Sequence, residues 1–161
     1  MNRREYNIAV NEYSGRLFRY VVKCLGNKED ANDIVQESYE KLWKNRKKVP
    51  LTKSKSWLFT TAHNMLINHT RKHKAFLMED ENCQEPMVSG NTYELRDLIE
   101  QALEGLPALQ RQIILLRDLE GYSYKEIGEI LRLNESQVKV YLFRGRQKVR
   151  LKLKDISVLV A

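Results

Sequence analysis

Along most of this chain apolar residues return every third or fourth position, and proline never falls inside such a run. That spacing is the period of an amphipathic helix, with one stripe turned inward. The three prolines, Pro50, Pro86 and Pro107, stand between the periodic runs, where a helix must stop. No stretch alternates apolar and polar residues as a half-buried strand would. The expected fold class is all-α.

The first run places Tyr6, Val10, Tyr13, Leu17, Val21 and Cys24 on one face and ends at Gly26-Asn27. A second, from about Asp30 to Lys47, turns Ala31, Ile34, Val35, Ser38, Tyr39, Leu42 and Trp43 inward. A basic loop around Pro50 leads to a third helix, from about Ser56 to Lys74, with Leu58, Phe59, Ala62, Met65, Leu66 and His69 inside. Residues 76–94 break the pattern: five acids, no base, and Pro86, Ser89 and Gly90. They read as a flexible acidic linker between two small helical domains, residues 1–75 and 95–161. In the second domain Leu95, Leu98, Ile99, Ala102, Leu103 and Leu106 make one stripe, and Ala108 to Leu119 makes the next helix.

Charge bears on the partner. The 28 Lys and Arg outnumber the 21 Asp and Glu, for a net +7 and a pI near 9.4. Such a chain suits a polyanion without naming one. Cys24 and Cys83 are far apart and form no metal-type pair, so a reduced setting without a disulfide is expected. No signal peptide and no apolar run of membrane-spanning length is visible, which points to a soluble, cytoplasmic protein.

The strongest local signal is a helix–turn–helix over Ser123 to Arg150. Ser123-Tyr124-Lys125-Glu126 forms a capping box, a short helix buries Ile127, Ile130 and Leu131, and a tight turn leads to Asn134 as the next N-cap. In the helix that follows, Val138, Tyr141, Leu142, Gly145 and Val149 face inward. Ser136, Lys139, Val140, Phe143, Arg144, Gln147 and Arg150 face outward. Exposed Val and Phe among cations suit thymine methyls, with Lys and Arg reaching base edges or phosphates. A helical hairpin with a charged exterior is the plainer alternative.

Two stripes in the first domain bear on function. On the third helix, Ser56, Trp57, Thr60, Asn64, Asn68 and Arg71 oppose the apolar face, and Arg46, Lys48 and Lys53 lie in the adjoining basic segment. An indole beside amides and hydroxyls can stack on an unpaired base, with cations on the backbone. A core tryptophan near a helix start would account for Trp57 equally well. On the second helix, Asp33, Gln36, Glu37 and Glu40 make an acidic and amide stripe that cannot be aimed at DNA. It suits a basic protein partner or is simply solvated.

Several segments together resemble one family. Asp30-Ala31-Asn32-Asp33-Ile34-Val35-Gln36-Glu37 is similar to the D-A-x-D-[LIV]-V-Q-E segment of sigma region 2. Trp57-Leu58-Phe59-Thr60-Thr61-Ala62-His63-Asn64, closing with Arg71-Lys72, is similar to W-L-x-x-I-A-x-N…R-[RK]. Leu106-Pro107 with Gly121-Tyr122-Ser123-Tyr124-Lys125-Glu126-Ile127 resembles the L-P…G-x-S-Y-x-E-I-A segment of region 4, continued by Val138-Lys139 and Phe143-Arg144-Gly145-Arg146. They occur in family order over nearly the whole chain, in a length with no room for regions 1 and 3. That is the pattern of extracytoplasmic-function (ECF) sigma factors.

The resemblance implies region 2 on the β′ coiled coil of core RNA polymerase, capturing the melted −10 strand. It implies region 4 on the β flap, reading the −35 promoter duplex. Asp33, Gln36 and Glu37 fall at the β′ contact, Asn64 and the basic loop at the −10 strand, and Lys139, Val140, Phe143 and Arg144 at the −35 element. An anti-sigma partner is also implied. This chain departs from the family at Gln137-Val138-Lys139-Val140-Tyr141, at Asn68 for the usual Asp, and at Gly128 for the usual Ala.

Two other readings compete. A repressor or activator using only the C-terminal helix–turn–helix would need neither stripe of the first domain. A metal enzyme could use His69 and His73, but no carboxylate is spaced to complete the set. With no Gly-rich phosphate loop and no nucleophile–base pair, neither catalysis, a metal nor a cofactor is expected.

Overall fold

Several helix starts are written in a side chain that satisfies free backbone N–H groups: Asn2, Asn27, Ser123 and Asn134. The computed structural model describes the backbone of residues 1–79 and 95–160 and the side chains of residues 1–72 and 97–155. α1 (Arg3–Leu25) opens with a capping box between Asn2 and Glu5 and closes at Gly26, whose φ of 73° is the left-handed conformation glycine adopts without strain. The next residue, Asn27, accepts from Glu29 and Asp30 N–H and starts α2 (Lys28–Asn45). α3 (Leu51–Glu79) follows, then α4 (Leu95–Glu104), α5 (Ala108–Ile114), α6 (Tyr124–Leu131) and α7 (Glu135–Val160). There is no strand among the described residues, so the all-α expectation holds.

α1, α2 and α3 pack pairwise around Leu17, Tyr20, Val21, Ala31, Leu42, Leu58, Phe59 and Ala62. α4, α5 and α6 each pack on α7, burying Ala102, Ile113, Leu116, Ile127, Ile130, Val138 and Leu142. Complete burial of each Leu, Ile or Phe contributes ~1.5–3 kcal/mol.

Four details differ from expectation. The basic segment after Pro50 is not a loop but the first turns of α3, because proline is tolerated where a helix begins. α3 runs on to Glu79, past the domain boundary at residue 75, and residues 80–94 of the expected linker lie outside the described residues. On α3 the buried histidine is His63, 5% exposed, while His69 is only half-buried and lies 3.3 Å from Asp30. The buried arc of α3 is wider than one apolar stripe because it packs on α1, α2 and α6 together. Trp43 and Ile99, both expected inward, sit at the rim, 36% and 39% exposed.

The helix from Ala108 also holds a surprise: beyond Ile114 it widens into a π-helical turn, Leu115–Leu119. The turn closes with Glu120 N–H on Leu115 O and Tyr122 N–H on Leu116 O, both at 3.0 Å. Tyr122 is thereby delivered, 1% exposed, against the N-terminal body. Its ring lies 4.9 Å from that of Phe59, edge to face, so the two bodies share one apolar core. Arg19 and Glu120 pair at 3.7 Å beside this junction, and the Arg111 guanidinium donates to the Cys24 carbonyl at 3.3 Å.

Candidate nucleic-acid interface

α7 is oriented by its start and its inner face. Asn134 accepts from Gln137 N–H at 2.8 Å while the Gln137 side chain accepts from Asn134 N–H at 3.0 Å, a reciprocal cap. The turn before it is held by Arg132 in the left-handed region, φ 57°, and by Leu133 N–H on Gly128 O at 2.9 Å. A Cβ at Gly128 would lie 2.5 Å from the Leu133 carbonyl oxygen, so in this chain glycine lets the turn close tightly. Val138 and Leu142 are then buried, at 0% and 3%, and the outer arc is fixed.

That arc is the expected one. Ser136, Lys139, Val140, Phe143, Arg144, Gln147 and Arg150 are all exposed, Phe143 to 62% and Val140 to 46%. At its edge the Tyr124 ring has the Arg117 guanidinium 4.5 Å away and the Lys139 ammonium 5.5 Å away. Tyr124, Lys139, Phe143, Arg146, Gln147 and Arg150 line a shallow pocket of about 260 Å³. In the sequence Tyr124 stands in the capping box and in the region 4-like segment, and neither marks it for the edge of this arc. Arg146 is committed elsewhere: it holds Asp118 of the π-helical turn through Nε at 3.1 Å and a second nitrogen at 2.5 Å.

The α3 site is assembled only in part. Lys53, Ser56, Trp57, Thr60, Thr61 and Asn64 line an open cleft of about 410 Å³, with Glu129 of α6 on its far wall. Trp57 is half-buried against the core and also lines this cleft. Four residues expected here do not line it. Arg46 lays its guanidinium 3.9 Å from the Trp43 ring centre and donates to Trp43 O at 2.8 Å. Lys48 is exposed in the α2–α3 turn, and Arg71 is exposed further along α3. Asn68 lines a separate groove of about 300 Å³ with Asp30, Asp33, Glu37, Met65 and His69.

Asp33, Gln36, Glu37 and Glu40 are all exposed on α2, with Glu37 3.1 Å from Lys41. Among the described residues no group of three or more His, Cys, Asp or Glu could hold a metal ion, and no helix is long and apolar enough to cross a membrane. Burial pushes the Cys24 thiol up to about 12 and the His63 imidazole down to about 4. Both groups are therefore neutral near pH 7.

Comparison with known proteins follows the same division. Residues 9–76 match the family model for sigma-70 region 2, and residues 96–149 match that for sigma-70 region 4. The RNA polymerase sigma factor SigV of Bacillus subtilis is 30% identical over 152 residues, covering 92% of each chain. The ECF RNA polymerase sigma factor SigW of the same organism is 28% identical over 167 residues, covering 91% of this chain and 88% of SigW. Among solved structures, the sigma factor RpoE in complex with the anti-sigma factor NepR from Bartonella quintana is similar at a TM-score of 0.78. Its sequence is 21% identical, over 92% of this chain and 96% of that one. CnrH in complex with the cytosolic domain of CnrY is similar at a TM-score of 0.69, with 19% identity.

Proposed function

Since the chain belongs to the sigma-70 family of RNA polymerase sigma factors, in its ECF group, we propose that its three exposed faces divide the work of promoter recognition. A member of this family is not an enzyme; it directs core RNA polymerase to promoters. The α7 arc from Ser136 to Arg150 reads the −35 duplex in the major groove. The α3 cleft takes the −10 strand, with Trp57 stacking on a base, Thr60 and Asn64 bonding base edges, and Lys53 near the backbone. The α2 stripe of Asp33, Gln36, Glu37 and Glu40 docks on the β′ coiled coil, and the C-terminal body on the β flap. The protein works in the cytoplasm with core polymerase. RpoE was solved in complex with the anti-sigma factor NepR, and CnrH in complex with the cytosolic domain of CnrY, which supports an anti-sigma factor here too.

One observation carries the duplex reading: a buried inner face fixes α7 so that Val140 and Phe143 stand in solvent among Lys139, Arg144 and Arg150. Burying apolar groups is favourable, so such a face calls for a partner that carries both methyl groups and phosphates. The test is in vitro transcription with core polymerase on a genomic fragment library. Defined start sites should arise with the protein and vanish with Arg144→Ala. Equal transcription with and without the protein would overturn the assignment.

A further inference from the structure

A cavity of about 230 Å³ lies between the end of α1 and the helices α4 and α5. Its lining holds two charges of each sign: Lys23 of α1 and Arg111 of α5, against Glu100 and Glu104, one turn apart on α4. Val22, Leu103 and Leu115 supply the apolar part of the wall. No lining residue belongs to the acidic stripe of α2, the cleft of α3 or the outer arc of α7, so the cavity stands apart from the three faces assigned above. The Arg111 guanidinium is only partly satisfied by the protein. One of its N–H groups donates to Cys24 O at 3.3 Å, while Nε is buried without a hydrogen-bond partner among the described residues. A buried donor on a charged group is costly to leave unmet, so this one calls for an acceptor.

We propose that this cavity binds a small zwitterion, an α-amino acid with an aliphatic side chain. The ligand carboxylate pairs with Lys23 and accepts from Arg111, its ammonium donates to Glu100 and Glu104, and its side chain lies against Val22, Leu103 and Leu115. The balance of charge argues for this class. Glu100 and Glu104 would repel a phosphate or other polyanion, and Lys23 and Arg111 would repel a metal cation. A ligand with only one charged end would leave the opposite pair unmet, which is how a polar site rejects an analogue that lacks a group. Size argues the same way, since the volume is below the roughly 300–1,000 Å³ of drug-sized sites. A ligand held there touches both bodies and adds its binding free energy to the stability of the folded chain.

The test is isothermal titration calorimetry on the full chain with L-leucine, L-isoleucine and L-valine. Two half-ligands serve as controls: 4-methylpentanoate, which is leucine without its ammonium, and 3-methylbutylamine, which is leucine without its carboxylate. At least one amino acid should bind at one site per chain with a Kd of about 0.1–1 mM. Each half-ligand should bind at least about tenfold more weakly. Lys23→Met and Glu104→Gln each remove one charge while keeping the side chain's length, and circular dichroism melts of the unliganded variants check that both still fold. Each should weaken the amino acid about threefold to tenfold. If none of the three amino acids gives a saturable heat, or if both folded variants bind as the parent does, the site is overturned. A half-ligand that binds as tightly as the amino acid overturns the zwitterion.

Discussion

The N-terminal and C-terminal bodies present their candidate nucleic-acid faces in opposite ways. On α7 the caps, the buried inner face and the tight turn at Gly128 hold seven side chains out in solvent, Phe143 to 62% exposure. On α3 the corresponding side chains lie in a cleft with a wall from α6, and Lys55 is engaged by Tyr122 and Glu126. The difference lies in what each helix packs on. α7 receives α4, α5 and α6 on one side only, whereas α3 is buried by its own body and by the other. The proposed duplex face is held open by its own packing, whereas the proposed strand face is walled by the other body. Preorganised contacts bind without an ordering cost, and rearranged ones bind less tightly by the cost of opening.

The largest effect should come from the residue that joins the two bodies. Phe59 is fully buried between Tyr20 and Tyr122, so Phe59→Ala should cost about 3–5 kcal/mol of stability. Trp43 and Trp57 both lie in the N-terminal body, so tryptophan fluorescence follows that body alone while circular dichroism follows both. In urea the two signals should shift together. A variant that moves only the fluorescence transition would make the bodies independent and dissolve the contrast between them.

Acid should distinguish the bodies next. All three histidines belong to the N-terminal part of the chain, and His63 is buried at 5% exposure with its imidazole held down near 4. The folded-state pKa lies below the unfolded one, near 6.5, so the unfolded chain takes up the proton first. Stability is therefore full above about pH 7 and declines as pH falls toward 4, by about 3 kcal/mol at the lower end. In the C-terminal body Glu120 behaves in the opposite sense: burial raises its carboxyl, despite Arg19, so protonation relieves a cost there. Urea midpoints at pH 7 and pH 4.5, for parent and His63→Phe, should show the acid loss mainly in the tryptophan signal and smaller in the variant.

These contrasts were legible in the sequence to different depths. The arc of α7 was visible because one face of that helix is buried and one is free, the condition under which a helical wheel is reliable. Ser123 and Asn134 marked their helix starts for the same local reason. The basic segment after Pro50 carries no apolar period, so nothing in it announced that Lys53 and Lys55 are helical. His63 was missed and His69 preferred because a single-stripe wheel cannot anticipate a second packing partner. Tyr122 sat inside a recognisable motif and Phe59 inside an apolar run, yet their contact spans 63 residues and is a fact of tertiary packing. The π-helical turn that delivers Tyr122 has no sequence signature comparable to a cap.

The two nucleic-acid faces should also fail differently on mutation. Arg144 stands on the preorganised arc, so Arg144→Ala should cost about 1–3 kcal/mol on the preferred −35 duplex and relax discrimination there. Trp57→Ala should cost about 1–3 kcal/mol of strand affinity through lost stacking. Because Trp57 also packs on the core, it should lower the urea midpoint too, which Arg144→Ala should not. Duplex and strand titrations read beside unfolding curves separate these outcomes. If Trp57→Ala leaves strand binding intact and only destabilises the fold, the indole is core and the α3 cleft loses its stacking platform.

The smallest effect expected lies within α7 itself, between its two ends. Lys139, Phe143 and Arg144 stand near its N-terminal part, which a helix–turn–helix lays over base edges, while Arg150 and Lys152 stand further along and are exposed. Arg146, between them, already holds Asp118 and has little freedom to reach DNA. A cation that meets only phosphate carries no sequence information, so Arg150→Ala should weaken preferred and scrambled duplexes by the same factor. It should also flatten the dependence of log affinity on log salt by about 0.9, the slope of one phosphate contact. Arg144→Ala should change the ratio of the two affinities instead. Salt titrations on both duplexes decide it: an Arg150→Ala that discriminates less between them would move base reading from Arg144 on to Arg150 and erase the division of that helix into a reading end and an anchoring end.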